Sequence, residues 1–92
     1  MILNIITPDK AIIQRHSINY VNLRLSDGYP ISIYPGHASL VALFSEGKIN
    51  FQENNLTNHY FTSPGLLVID QEIVSCYVNW AESPDNQNNG AQ

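Results

Sequence analysis

An all-β domain, an antiparallel sandwich of about nine to ten short strands, is the architecture this 92-residue sequence predicts. Three observations carry that reading. Turn signals recur every few residues, among them Thr7-Pro8-Asp9, Asp27-Gly28, Pro35-Gly36, Asn54-Asn55, Pro64-Gly65 and Asp70-Gln71. The apolar runs between them are short, and several alternate apolar with polar residues. No segment keeps a helical periodicity for ten residues.

Taken in order, Ile2–Ile6 predicts a first strand, closed by the turn chemistry of Thr7-Pro8-Asp9-Lys10. Residues 11–14 give a second, where adjacent Ile12 and Ile13 imply that both faces are covered. Residues 18–26 alternate, with Val21, Leu23 and Leu25 on one face and Asn22, Arg24 and Ser26 on the other. Asp27-Gly28 tolerates positive φ and ends that strand. Residues 31–34 make a short strand that stops at Pro35-Gly36, because proline fixes φ and offers no N–H while glycine permits the reversal. Leu40–Phe44 and residues 47–52 read as a pair joined through Ser45-Glu46, with Ile49 and Phe51 facing inward. Residues 59–63, 66–69 and 73–80 complete the set. Residues 83–92 have almost nothing to bury and predict a flexible polar tail after a domain spanning residues 1–82.

Composition removes several function classes. Only four residues are basic and the net charge is −4, which argues against nucleic-acid binding and against a polybasic membrane-surface module. The apolar runs are far too short to span a bilayer. Met1-Ile2-Leu3-Asn4 lacks the basic start and long apolar core of a signal peptide. Cys76 is the single cysteine and reads as a small buried hydrophobe in a reducing compartment. A soluble cytosolic domain of this size buries only about 60% of its unfolded surface, so a partner would add usefully to its stability.

No active site is predicted. His16, His37 and His59 are dispersed, without an H-x-H pair or a carboxylate at ligand spacing, so the metal expectation is none. Ser39, His37 and Asp27 contain the residue types of a triad, but no nucleophile elbow accompanies them. A phosphate-binding Gly-x-x-x-x-Gly-Lys-Ser/Thr loop is absent, and no cofactor or catalytic residue is expected.

The stretch Ile31-Ser32-Ile33-Tyr34-Pro35-Gly36-His37-Ala38-Ser39-Leu40 is more specific. It resembles the Pro-Gly-His-Ala corner of the epsilon subunit of rotary ATP synthases. Leu3-Asn4-Ile5-Ile6-Thr7-Pro8-Asp9-Lys10 resembles that family's first strand and turn, and Phe44-Ser45-Glu46-Gly47-Lys48-Ile49 its following hairpin. Ser63-Pro64-Gly65-Leu66 stands where the family has Ser-Gly-Gly-Phe, and Val74-Ser75-Cys76-Tyr77-Val78-Asn79-Trp80-Ala81 where it has its closing strand. Ser32 and Pro64 replace family glycines, and Asn79 replaces a carboxylate.

This resemblance implies a non-catalytic rotor subunit that couples the gamma shaft to the membrane c-ring, at the cytoplasmic face of the inner membrane. Pro35 and Gly36 would shape the corner. Asp27, Gly28, Tyr29 and His37 would gather at one end and meet the c-ring loops. Ile12, Leu43 and Leu66 would cover the gamma subunit. The family's helical hairpin, associated with nucleotide sensing and restraint of hydrolysis, has no counterpart among residues 83–92, so neither property is expected of them. The alternatives are a stand-alone β-sandwich interaction module and, less favoured, a small metal-dependent β-barrel enzyme.

Overall fold

The computed structural model describes residues 1–9 and 12–84; the tail expected over residues 83–92 falls outside them from residue 85 onward. Ten strands follow in order: β1 (Ile2–Ile6), β2 (Ile12–Arg15), β3 (Ile18–Arg24), β4 (Pro30–Ile33), β5 (Leu40–Phe44), β6 (Gly47–Glu53), β7 (Leu56–Thr62), β8 (Gly65–Asp70), β9 (Ile73–Val78) and β10 (Ala81–Glu82). They build two five-stranded sheets. The first is ordered β2-β1-β9-β8-β5 and the second β10-β7-β6-β3-β4. Neighbours are antiparallel except β1 and β9, which run parallel with Ile2 opposite Ile73 and Ile6 opposite Tyr77. The expected sandwich is therefore present, with one parallel pair that alternation could not foretell.

Alternation fills the space between the sheets. Leu3 and Ile5 of β1, Leu67 and Ile69 of β8, and Val74, Cys76 and Val78 of β9 point inward from the first sheet. Val21 and Leu23, Ile33, Ile49 and Phe51, and Tyr60 answer them from the second. Phe51 and Tyr60 stack with ring centroids 5.7 Å apart. Each such aliphatic or aromatic side chain stabilises the fold by about 1.5–3 kcal/mol. At the open flank Arg15 of β2 reaches across, donating to Tyr60 Oη at 2.6 Å and pairing with Glu53 at 3.6 Å.

Three expectations change. β5 and β6 are not a pair: β5 joins β8 in the first sheet, while β6 lies between β3 and β7 in the second. Ser45 explains the crossing. Its N–H bonds to Arg24 O and its hydroxyl to Leu25 O, so the connection is tied to the end of β3 and passes to the other sheet. The strand predicted over 73–80 stops at Val78, and a separate two-residue strand follows beyond it at Ala81–Glu82, because Asn79 N–H donates to Ser63 Oγ and Ser63 N–H to Trp80 O. Those bonds carry the chain across before β10 pairs with β7. β7 begins at Leu56 rather than 59, because Asn54 and Asn55 both take positive φ, 51° and 66°. That is the two-residue turn which lets strands pair from its first flanking residue.

Candidate functional site

The outer face of the first sheet carries an apolar row where a solvated sheet would be polar. Register places one residue from each strand in a single row. Ile12 lies opposite Ile6, Ile6 opposite Tyr77, Tyr77 opposite Leu66, and Leu66 opposite Leu43. Ile12 and Leu43 are each 62% exposed. The next row holds Gln14, Asn4, Ser75, Val68 and Val41, with Val41 exposed and Gln14 donating to Asn4 Oδ1 at 2.9 Å. Ile73 lies exposed one row further along β9. The structure thus brings Ile12, Leu43 and Leu66 onto one face and one row. Ile6, Tyr77 and Val41 were missed. Their parity along each strand was readable, but the order of strands that aligns them was not.

The second group divides. Asp27, Gly28 and Tyr29 form the β3–β4 turn, with Gly28 at φ +94° and Tyr29 N–H donating to Asp27 Oδ1 at 3.1 Å. Leu25 N–H bonds to Tyr29 O and Gly28 N–H to Leu25 O, which closes the loop. His37 lies beyond the other end of β4, a strand of four residues. The expected gathering of all four at one end does not occur, because an extended four-residue strand separates the two loops by roughly 13 Å and neither folds back. β4 is the edge strand of the second sheet, so both loops flank one free edge.

The corner itself is a type II turn. Proline sits at its second position, Gly36 at its third with φ +87°, and His37 N–H bonds to Tyr34 O at 3.1 Å. Gly36 N–H also donates to Glu72 Oε2 at 3.1 Å, which fastens the corner to the β8–β9 turn. His37 Nδ1 is 2.7 Å from Ala38 O. That ring nitrogen serves the local backbone, and Asp27 lies at the far end of β4, so no Ser-His-Asp relay is assembled. Tyr34 packs its ring on Tyr20, 5.9 Å away.

Among the described residues no group of three or more His, Cys, Asp or Glu side chains stands close enough to hold a metal ion. His59 lies edge-on to Phe61 on the outer face of the second sheet, and His16 is exposed after β2. Cys76 is fully enclosed, and burial pushes its thiol up to about 12. Among the described residues no helix is long and apolar enough to cross a membrane.

Comparison with known proteins agrees with this architecture. The family model for the ATP synthase delta/epsilon chain beta-sandwich domain matches residues 1–84. The ATP synthase epsilon chain of Lawsonia intracellularis (strain PHE/MN1-00) is 32% identical over 80 residues, which is 87% of this chain and 59% of that relative. The chain thus spans about three fifths of that relative's length. A chain of the Euglena gracilis mitochondrial ATP synthase, solved with OSCP, F1 and c-ring in rotational state 1, superposes with a TM-score of 0.77 at 16% identity. The match covers 97% of this chain and 59% of that one. A chain from the central stalk and c-ring of the Tetrahymena thermophila mitochondrial ATP synthase gives 0.71 at 10% identity, covering 90% and 66%. At those identities the two structures establish likeness of fold, and the match of the sequence over residues 1–84 goes further: the chain belongs to the ATP synthase delta/epsilon chain beta-sandwich domain family.

Proposed function

We propose that this domain is a non-catalytic part of the central stalk of a rotary ATP synthase or ATPase, coupling the gamma subunit to the c-ring. The observation that carries the proposal is the apolar row Ile12, Ile6, Tyr77, Leu66 and Leu43 on an otherwise complete sandwich. A monomeric domain has no use for such a face, and an exposed apolar patch of this kind marks a partner surface. Membership of the family supports gamma as the occupant. The ring-facing surface is the free edge of β4, with Asp27, Gly28 and Tyr29 at one end and His37 at the other. Neighbouring polar loops of a ring could engage both ends of so short an edge. A close-packed sandwich then transmits torque as one rigid body.

Co-expression with the cognate gamma subunit tests the first contact. Intact chain is expected to co-purify with gamma, whereas Leu43→Lys or Leu66→Lys, each placing a charge in the row, is expected to weaken retention at least ten-fold while leaving thermal unfolding nearly unchanged. Retention equal to that of the unmodified chain would overturn this assignment. The second contact is tested by cysteines at Tyr29 and at His37, each paired with a cysteine in the c-ring loop. Disulfide formation is expected from both and not from Asn58→Cys on β7, toward the opposite flank of the second sheet. Cross-links from Asn58→Cys alone would reverse the orientation.

A further inference from the structure

A crevice adjoins the apolar row, and its cause lies in the backbone. β1 and β9 run parallel and part at their C-terminal ends. β1 leaves through Thr7-Pro8, while β9 is drawn toward the second sheet, where Asn79 N–H meets Ser63 Oγ. A crevice of ≈ 350 Å³ opens there, with Ile6, Pro8, Pro64, Tyr77, Val78 and Asn79 in its lining.

The parallel ladder is cut short at the same place. Ile2 N–H donates to Glu72 O, one residue before its register partner Ile73. Carried along the register, that pattern takes Asn4 N–H to Val74 O and Ile6 N–H to Cys76 O. The next donor would belong to residue 8 and point at Val78 O, but residue 8 is a proline and has no N–H. Val78 buries its side chain in the core, so its backbone is what borders the crevice. The ladder thus ends on a carbonyl oxygen among apolar walls, facing a residue that cannot donate to it.

We propose that this crevice takes the indole ring of a tryptophan from the gamma subunit, with the ring N–H donating to Val78 O. The source of the ring rests on the gamma reading of the row. Ile6 and Tyr77 belong to both row and crevice, so a partner covering the row also reaches the crevice. The chemistry of the side chain follows from the lining. An aliphatic group would cover the carbonyl and leave it without a donor. A carboxylate would set an anion against an acceptor. An ammonium or guanidinium has donors, but among the described residues no acidic side chain lines the crevice to neutralise it. Indole presents a broad apolar ring to Tyr77 and the prolines, and one donor with no acceptor of its own.

The test has two arms. In the first, the ¹⁵N-labelled 92-residue chain is titrated with indole, with phenol, and with 1-methylindole, which keeps the ring and lacks the N–H. Saturable shifts centred on Ile6, Gly65, Tyr77 and Asn79 are expected from indole, with 1-methylindole at least five-fold weaker. Pro8→Ala returns an N–H to residue 8. With its folded spectrum verified, it is expected to bind indole at least five-fold more weakly and to lose the preference over 1-methylindole. Tyr77→Ser, which removes a wall and no donor or acceptor of the ladder, is expected to weaken both indoles alike. Non-saturating shifts, equal affinities for the two indoles, tighter binding of phenol, or an unaltered response in Pro8→Ala would each overturn the tryptophan assignment. In the second arm, Pro8→Ala is expected to lower retention of gamma at least five-fold. Indole bound as expected, with gamma fully retained by Pro8→Ala and lost by Leu43→Lys, would overturn gamma as the source of the ring and leave the rotor reading standing.

Discussion

At Gly65 the absence of a side chain decides whether two strands can meet. A Cβ there would stand 2.2 Å from Tyr77 O and 2.7 Å from the Phe44 ring. The ring could give, but the carbonyl is fixed in the β8–β9 ladder. Gly65→Ala is therefore expected to lower stability by about 3 kcal/mol, measured by urea unfolding. Gly36 differs: nothing lies within 4 Å of its would-be Cβ, and its constraint is a φ of +87°. Gly36→Ala is expected to cost only about 1–2 kcal/mol. Sequence pattern marked both as turn glycines and could not separate them, because one requirement is local and the other depends on which strand lies alongside. Pro64 fits the same lesson. It takes the place of a family glycine at a position with no positive φ, so the substitution is accommodated. Cys76 was legible as buried, and its chemistry follows. The folded thiol, raised from 9.0 to about 12, stays protonated where the unfolded one ionises. Its stabilising contribution is complete below pH 9 and is lost as pH rises from 9 toward 12, by about 1.4 kcal/mol per unit. The difference in unfolding free energy between the unmodified chain and Cys76→Ala, followed across that range, is expected to shrink accordingly. Thiol reagents at neutral pH are expected to leave Cys76 unmodified until the chain unfolds.

Elements, rather than residues, show where periodicity stops informing. Strand existence was readable nearly everywhere, since alternation at Val21/Leu23 and at Ile49/Phe51 survives as burial. Partnership was not. β5 and β6 are separated only by Ser45 and Glu46, a spacing that suits a hairpin, yet bonds from the Ser45 N–H to Arg24 O and from its hydroxyl to Leu25 O send them to different sheets. Those bonds reach back to Arg24 and to Leu25, the latter 20 positions earlier, beyond the reach of any local pattern. β2 illustrates a related case. It is a four-residue edge strand, and Arg15 is its anchor to the second sheet through Tyr60 and Glu53. The Tyr60 bond is the first cause of the raised Arg15 pKa, ahead of the Glu53 charge. Arg15→Ala is expected to cost about 1 kcal/mol and to speed amide exchange in β2 before other strands. Glu53→Gln, which removes a partly exposed ion pair, is expected to cost less than about 0.5 kcal/mol.

For the whole molecule, the sandwich and the interior face of each strand are legible in the sequence, whereas the proposed contact surface is legible only in fragments. Ile12, Leu43 and Leu66 attract notice as apolar residues of the wrong parity, but a row across five strands exists only once the order β2-β1-β9-β8-β5 is known. The Asp27 turn and the His37 corner are each visible in the sequence, but their meeting would need one loop to fold back over the four-residue strand between them, and no local pattern encodes that. The free domain is expected to self-associate through the uncovered apolar face at high concentration, and Val41→Lys to reduce that association in sedimentation measurements. Strand order also dictates when the chain can become a protein at all. β1 is held between β2 and β9, so residue 2 finds its neighbour only at residue 73. Closing so long a loop is entropically slow, and such non-local pairing lengthens folding times. On the ribosome, β3, β4, β6 and β7 can assemble as they emerge, while β1 waits with an unpaired edge until β9 clears the exit. Nascent chains released before residue 73 are expected to be protease-sensitive throughout β1 and β2, and those extending past residue 78 to be resistant.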